Sequence, residues 1–541
     1  MAPKRSTSPA TGRRKSIAII GGGLTGLVAA KQLQAKGFAV TVFEDDARLG
    51  GHIKTEPAFD EGLFCEAGAE LISGKHEHII GLAKELGVEL EPFASSSGSA
   101  DTSTLLHFKG KIITQGQFEE AFAVLAKAIT RDEDQLYLRT EQPISRAREI
   151  PWNRAKATAL DAMSLKDYLA AKQRELHAEG HEVPDWLIAA VSVAYGGEIG
   201  QDADKISALT FVTMLNTSLL RSGSAHALEM PGEEDQIYRV RGGNEELISA
   251  LVNRVLATTP APDRFHDGGN VIRHSTPVTH VNHIPGNRVS VTYQTHGQQW
   301  SEQFDGLVTT MSMSSLRQIP GIQDVLKKHS TARADMQAIN TMQESDVSKI
   351  TLQTRTLPAQ LLAKLNDGKP HEGIIYTDTG PQTIWVSSVN QRTSQGQTPR
   401  TGLITCYVCG ETSRLPAKEK AAMCENAIVR MLREADPSVT RDTIFNGHAP
   451  VVSDWTGKQE GCFVSPAPNQ FLPLCNFEPN HGNIVTTGSF IPVIVNNPTN
   501  DEGIDIDIQL GYMNNAVKAG SDAAEYLSQY FSRRQSLLLA G

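Results

Sequence analysis

The chemistry most open to reading in this chain lies near its N-terminus, in Gly21-Gly22-Gly23-Leu24-Thr25-Gly26. Glycines at 21, 23 and 26 have the G-x-G-x-x-G spacing that suits a pyrophosphate. Gly21 permits a tight turn, Gly23 lets backbone approach the phosphates, and Gly26 lets a helix pack closely on a strand. Leu24 and Thr25 belong to this phosphate turn, and the N-terminus of the helix that follows favours an anion. Glu44, 23 residues after Gly21, stands where a carboxylate accepts from a ribose. A free carboxylate there favours an unphosphorylated ribose, hence FAD or NAD over NADP. The other reactive side chains are six scattered cysteines, Cys65, Cys406, Cys409, Cys424, Cys462 and Cys475, too few for a disulfide framework in 541 residues. They imply a reducing compartment and a cytoplasmic location. Cys406 and Cys409 form a CxxC, but it sits inside the apolar run 403–409 and no second pair follows at metal spacing. The run reads as a buried strand, and no metal site is expected.

The elements that must position the glycines are local. Ile17-Ala18-Ile19-Ile20 is a short apolar run suited to a buried parallel strand. Residues 27–35 are helix-like and closed by Gly37, and Ala39-Val40-Thr41-Val42-Phe43 reads as a second strand ending at Glu44. The order is strand, phosphate turn, helix, strand. Arg13-Arg14-Lys15 before the apolar stretch 16–30 imitates a signal peptide, and the glycine placement decides against that reading.

Directly after the ribose acid, Arg48-Leu49-Gly50-Gly51-His52 resembles the R-x-G-G-R that follows the second strand in flavin amine oxidases. A dehydrogenase using NAD has no need of this second glycine pair, so FAD is implied. His52 stands where the family has an arginine near the pyrophosphate, and Lys54 or Arg48 is expected to supply that contact. Phe64-Cys65-Glu66-Ala67-Gly68-Ala69-Glu70 resembles the segment whose small residues, here Gly68 and Ala69, lie against the flavin. Arg241-Gly242-Gly243-Asn244 resembles the return into the FAD domain, Thr276-Pro277-Val278 the strand whose valine meets the adenine, and 305–310 the core strand after it. Gly488-Ser489 and Gly511-Tyr512-Met513 resemble the closing motif, which aims a helix N-terminus at the flavin. Ser489 replaces the usual acid, and the long insert 490–510, with Asp501, Glu502, Asp505 and Asp507, suggests a lid or partner surface. In this order and spacing the landmarks identify the chain as a member of the flavin-containing amine oxidase family, the superfamily of flavin monoamine oxidases and L-amino-acid oxidases.

That resemblance implies roles. Lys349 corresponds to the lysine holding a water against flavin N5. Trp455 precedes the loop that brings one aromatic wall, Phe463, to the flavin, and Tyr512 is the second wall. Cys462 stands where some relatives carry a thioether to FAD; non-covalent FAD is the expected state and the thioether the alternative. L-Amino-acid oxidases place an arginine after the glycine–alanine pair to grip a carboxylate, whereas this chain has Glu70, which favours a cationic amine. Tyr195, in Tyr195-Gly196-Gly197, is expected at the substrate. The implied reaction oxidises an amine C–N bond to an imine, which hydrolyses to aldehyde or ketone, while molecular oxygen is reduced to hydrogen peroxide. L-Amino-acid oxidation, or desaturation or isomerisation of the protoporphyrinogen-oxidase type, is the alternative, and a non-catalytic FAD-binding protein the remaining one. No catalytic base is evident.

The expected fold class is α/β, α+β overall: a Rossmann-type FAD domain from 14–74, 237–312 and 455–535, interleaved with a mixed sheet-and-helix substrate domain from 75–236 and 313–454. Residues 1–13 read as a disordered basic tail. Surface loops are predicted at 94–104, 221–236, 257–270 and 387–400, and helices at Glu77–Leu86 and Ala417–Ala435. With 40% hydrophobic and 21% charged residues the composition is that of a soluble globular protein. The net charge is −10, and the first fifteen residues hold five basic groups and no acid, leaving the rest at −15. Such a body repels a phosphate backbone, so nucleic acid is not an expected partner. No run of 18 apolar residues supports a membrane span, and a homodimer is expected.

Overall fold

The computed structural model describes residues 14–93, 100, 102–138, 144–228, 237–257, 271–327, 332–456, 463–496, 499–500, 503–504 and 507–540. The predicted N-terminal unit forms as β1 (Ser16–Ile20), α1 (Leu24–Ala35) and β2 (Ala39–Phe43). β1 lies inside a six-stranded sheet, parallel to β2 on one side and to Gly306–Thr309 on the other. Ile272–Arg273 continues the sheet beyond β2, and Ile484–Thr486 continues it beyond Gly306–Thr309 in parallel register. Only the edge strand Asn480–His481 runs antiparallel. Because alternate side chains of a strand leave on opposite faces, Ile17, Ile19, Val40 and Val42 join one core with Leu27 and Leu33 of α1. Ala18, Ile20 and Phe43 join the other.

The helix starts at Leu24, three residues earlier than the apolar pattern predicts, because Gly23 serves as N-cap and the first turn needs no apolar face. The third fingerprint glycine is sterically required: a Cβ on Gly26 would lie 2.0 Å from the carbonyl oxygen of Gly21. The C-terminal helix Met513–Ala540 also crosses α1 closely, and a Cβ on Gly520 would lie 2.5 Å from Thr25 O.

A second, seven-stranded sheet runs in the order Val451–Asp454, Val347–Thr354, Gly402–Cys409, Thr383–Val386, Ile375–Thr377, Leu105–Phe108, Lys111–Ile113. Its neighbours are antiparallel except for Ile375–Thr377 beside Leu105–Phe108. We label Val347–Thr354 β3. One face of this sheet, with Ile350, Leu352, Ile384 and Cys406, packs against Cys424, Ile428, Met431 and Leu432 of the helix Ala417–Ala435. The other face carries a cross-strand row in which Lys349 is paired with Tyr407 and Tyr407 with Thr383.

The helices predicted at Glu77–Leu86 and Ala417–Ala435 form with those bounds. The CxxC lies in the strand Gly402–Cys409. Positions i and i+3 of a strand face opposite ways: Cys406 belongs to the helix-covered face, and the Cys409 thiol lies 3.2 Å from Gly196 O. Among the described residues no group of three or more His, Cys, Asp or Glu is placed to hold a metal, and no helix is long and apolar enough to cross a membrane. Between 490 and 510, Val493–Asn496 pairs with Asp507–Gln509, and Thr499–Asn500 pairs with Gly503–Ile504. The feet of this insert, Phe490, Ile508 and Leu510, are buried in the core. The side chains of its four acids, the tail 1–13 and, of the loops predicted at 94–104, 221–236 and 257–270, residues 94–99, 101, 229–236 and 258–270 lie outside the described residues; the described start of the second is a correction, since 221–222 end the helix Thr217–Ser222 and Ala225–Leu228 form a helical turn that buries Ala225, Ala227 and Leu228 in the core.

Candidate active site

A cavity of about 240 Å³ opens at the C-terminal end of β1. Gly21 turns the chain there with φ +110°, a region where an L side chain is strained, and its N–H donates to Phe43 O at 2.8 Å. α1 then begins without a side-chain cap, so its first-turn amides at Leu24 and Thr25 face the cavity as an anion site. Glu44 is held at the end of β2: Gly22 N donates to its Oε2 at 2.6 Å and Asp46 N to its Oε1 at 3.0 Å. Burial, helped by the hydrogen bond its protonated form donates to Asp45, pushes the Glu44 carboxyl up to about 7. Gly50, Gly51, Ala69, Val278, Gly488, Ser489, Tyr512 and Met513 line the same cavity.

Arg48 reaches this cavity but not as expected. Its guanidinium folds back, donating to Ile53 O at 2.7 Å, Leu49 O at 3.0 Å and Gly51 O at 2.5 Å. It braces the Gly50–Gly51 turn, where the φ of +109° at Gly50 demands glycine and that of +56° at Gly51 favours it. The Lys54 ammonium pairs with Glu56 at 2.5 Å, and Lys54 lines neither cavity. Among the described residues, neither Arg48 nor Lys54 extends a free guanidinium or ammonium into the first cavity in place of the family arginine at His52, and the first-turn amides of α1 face it. His52 itself lines both cavities with its ring edge-on to Trp455, centroids 5.3 Å apart.

A second cavity of about 220 Å³ adjoins the first, and His52, Ala69, Phe463, Gly511, Tyr512 and Met513 line both. Beside this junction Gly68 cannot carry a side chain, since its Cβ would lie 1.9 Å from His52 O, and with Ala69 it leaves the wall as backbone and one methyl group. An uncapped helix start, a buried ribose-side carboxylate and a nearly bare backbone shelf fit FAD: Glu44 would hold the ribose, α1 the pyrophosphate and Gly68–Ala69 the ring.

Lys349, on β3, projects into the second cavity and is bound there. Its Nζ lies 2.5 Å from Glu70 Oε2 and donates to Gly68 O at 3.1 Å, while Trp385 Nε1 donates to Glu70 Oε1 at 3.2 Å. Trp455 closes another wall, its Nε1 donating to Ala67 O at 2.8 Å. Tyr376, Trp385, Tyr407, Trp455, Phe463 and Tyr512 make the lining strongly aromatic. Phe463 and Tyr512, the two expected walls, stand at the junction.

Tyr195 is a correction. It is buried against Phe211, centroids 4.6 Å apart, and its hydroxyl donates to Leu228 O, away from the cavity. It lies on α2 (Asp185–Ile199), whose other face sends Ala194, Gly197 and Glu198 into the cavity. These positions follow the i, i+3, i+4 spacing of one helix face, a signal the sequence carried. Glu198 accepts a hydrogen bond from the Tyr512 hydroxyl. Trp385 and Glu198 were both missed by sequence reasoning, as were Met311, Ser312, Ser315 and Glu344 in the first cavity. Cys462, and with it the thioether, lies outside the described residues.

Comparison with known proteins agrees with this geometry. The family described as flavin containing amine oxidoreductase matches residues 24–491. An L-amino-acid oxidase of Siganus canaliculatus is 42% identical over 77 residues, 14% of this chain and 15% of that one. The flavin-dependent L-tryptophan oxidase RebO of Lentzea aerocolonigenes is 26% identical over 254 residues, 44% and 49%. The matches thus span from 15% to about half the length of these curated relatives. Among solved structures, cyclohexylamine oxidase from Brevibacterium oxydans superposes with a TM-score of 0.68 at 16% identity, covering 96% of this chain and all of that one. Wild-type putrescine oxidase bound to putrescine gives 0.66 at 18% identity, covering 95% and 99%.

Proposed function

The chain belongs to the flavin-containing amine oxidoreductase family, an FAD-dependent oxidoreductase on an amine-oxidase fold, and from that premise we propose that it oxidises the C–N bond of a cationic amine to an imine, with oxygen reduced to hydrogen peroxide. The observation that carries this reading is the charge of the second cavity. Two acids, Glu70 and Glu198, line it against one lysine, and that lysine is already bound to Glu70. No arginine lines it among the described residues. An amino-acid carboxylate would meet an acid there with no cation to receive it, whereas an ammonium meets Glu198 and six aromatic faces that attract positive charge.

FAD, when bound, supplies the two-electron acceptor. The protein's part is placement. Phe463 and Tyr512 confine the amine at the junction, and the nearly bare backbone at Gly68 and Ala69 lets it approach closely. Lys349 has three N–H donors, of which Glu70 and Gly68 O take two; the third is set to hold a water at the cavity wall.

The test is anaerobic bleaching of the flavin absorbance by hexylamine, cyclohexylamine and putrescine, set beside L-amino acids and a porphyrinogen. Bleaching by amines, with peroxide appearing on admission of air, is expected. Bleaching only by amino acids or only by the porphyrinogen would overturn the reading.

A further inference from the structure

Oxidation of an amine by transfer of its α-hydrogen needs the nitrogen lone pair, yet a primary alkylamine reaches a neutral solution almost wholly as the ammonium. A proton must leave before the chemistry, and the sequence shows no base to take it. Going beyond the proposed amine reading, and resting on it, we infer that Glu198 is that base.

The other ionisable groups described near the cavity differ from Glu198 in placement or partners. Both Glu70 oxygens accept, one from Lys349 and one from Trp385, and Lys349 is the cation of that pair. His76 stacks behind Tyr512 at 5.1 Å, but it is fully buried, its Nδ1 accepts from Ser73 N, and it lines neither cavity. His52 sits edge-on to Trp455. Asp346 lies beyond the C-terminus of α2, held by Gln201 and Arg414. Among the described residues, Glu198 alone combines an acidic side chain in the cavity lining with a contact to the cage itself, through the Tyr512 hydroxyl.

Its place on the helix adds to this. Glu198 is the next-to-last residue of α2. A carboxylate in the last turn faces the negative end of the helix dipole, an arrangement that costs helix stability and favours arrival of positive charge. In the step, one ammonium N–H bond breaks, its electron pair stays on nitrogen as the lone pair, and an O–H bond forms on the Glu198 carboxylate. Two charges become none, which a poorly hydrated aromatic cavity favours. Tyr512, donating to Glu198, keeps the carboxylate beside the cage throughout.

The experiment compares wild type, Glu198→Gln and Tyr512→Phe as FAD-loaded proteins, their flavin content checked by absorbance. The rate of anaerobic bleaching by hexylamine or cyclohexylamine is followed from pH 6 to 10. An alkylamine with a pKa near the lysine value of about 10.4 is neutral to roughly one part in a thousand at pH 7.4. Glu198→Gln, which must wait for that fraction, should therefore lose up to about a thousandfold in rate near pH 7.4 and recover about tenfold per pH unit toward pH 10. Tyr512→Phe keeps the carboxylate and should keep the wild-type pH profile at a uniformly lower rate. A second readout needs no turnover: tert-butylamine has no α-hydrogen, and its binding at pH 7.5 is followed by calorimetry in buffers of different ionisation enthalpy. Wild type should release no proton and Glu198→Gln close to one. Equal slowing of Glu198→Gln at every pH, no proton release by that variant, or the same pH rescue in both variants would overturn the assignment. Failure of every amine to bleach the wild-type flavin would instead sink the amine reading itself, and is told apart by the wild type alone.

Discussion

Replacing Glu70 by leucine should destabilise the protein far more than replacing Glu70 and Lys349 together. The two side chains are 5% and 6% exposed and their charged atoms lie 2.5 Å apart. Loss of the carboxylate strands an ammonium in the cavity wall, and breaking a buried pair from one side costs about 3–5 kcal/mol. The Trp385 indole N–H loses its acceptor as well, worth about 1 kcal/mol. In Glu70→Leu/Lys349→Met the buried charges are gone, and exchange of a buried pair for apolar groups of similar size is close to neutral. Only the orphaned indole and the unfilled Gly68 carbonyl remain. The double variant should therefore be more stable than the sum of the single variants by at least about 2 kcal/mol. The assay is chemical unfolding of the four FAD-saturated proteins, followed by flavin release and by tryptophan fluorescence, with midpoints compared as a double-mutant cycle. A coupling below about 0.5 kcal/mol, the additivity expected of independent sites, would refute the pair as a buried, mutually dependent interaction. It would also return Glu70 to the role its sequence position suggests, a free negative charge for the substrate.

Gly68→Ala should yield protein without the yellow chromophore, because its Cβ must fit 1.9 Å from His52 O and 3.4 Å from the Trp455 ring; purification with a full complement of FAD would contradict the shelf assigned to this backbone. Glu66 tests the interior acids. Burial lifts its carboxyl to about 7, although Asn244 N and the Thr55 hydroxyl donate to it, so the fold favours its protonated form. Its contribution is fully present below the ordinary carboxyl value near 4.5 and is lost as pH rises through about 7, an effect on the order of 3 kcal/mol. Glu66→Gln, neutral throughout, should flatten the fall of the thermal midpoint between pH 5 and 8, and an unchanged slope would show that Glu66 is not its source.

What was legible in the sequence was what neighbouring residues settle among themselves. β1, α1 and β2 follow from an apolar run, a glycine turn and a second apolar run within thirty residues, and Glu44 comes with them. Gly68, Ala69, Phe463 and Tyr512 could be placed because their motifs fix backbone shape as well as side-chain type. Charged residues were harder, because a long or titratable side chain takes its role from partners that lie far along the chain. Arg48 can reach a phosphate or fold onto its own turn, and three nearby carbonyls decide for the turn. Glu70 reads as a charge offered to the substrate until β3 brings Lys349, 279 residues away, onto it. The phase of α2 is of the same kind: Tyr195 and Glu198 are three residues apart, and only the core behind the helix, with Phe211 and Leu228, determines which of them meets the cavity. A cavity's preference for substrate charge therefore cannot be summed from the charges its motifs contain. It is set by which of those charges the fold pairs with one another and which it places against the cage, and here Glu70 and Lys349 bind each other while Glu198, on a helix face with no family motif, stands beside Tyr512 at the cage.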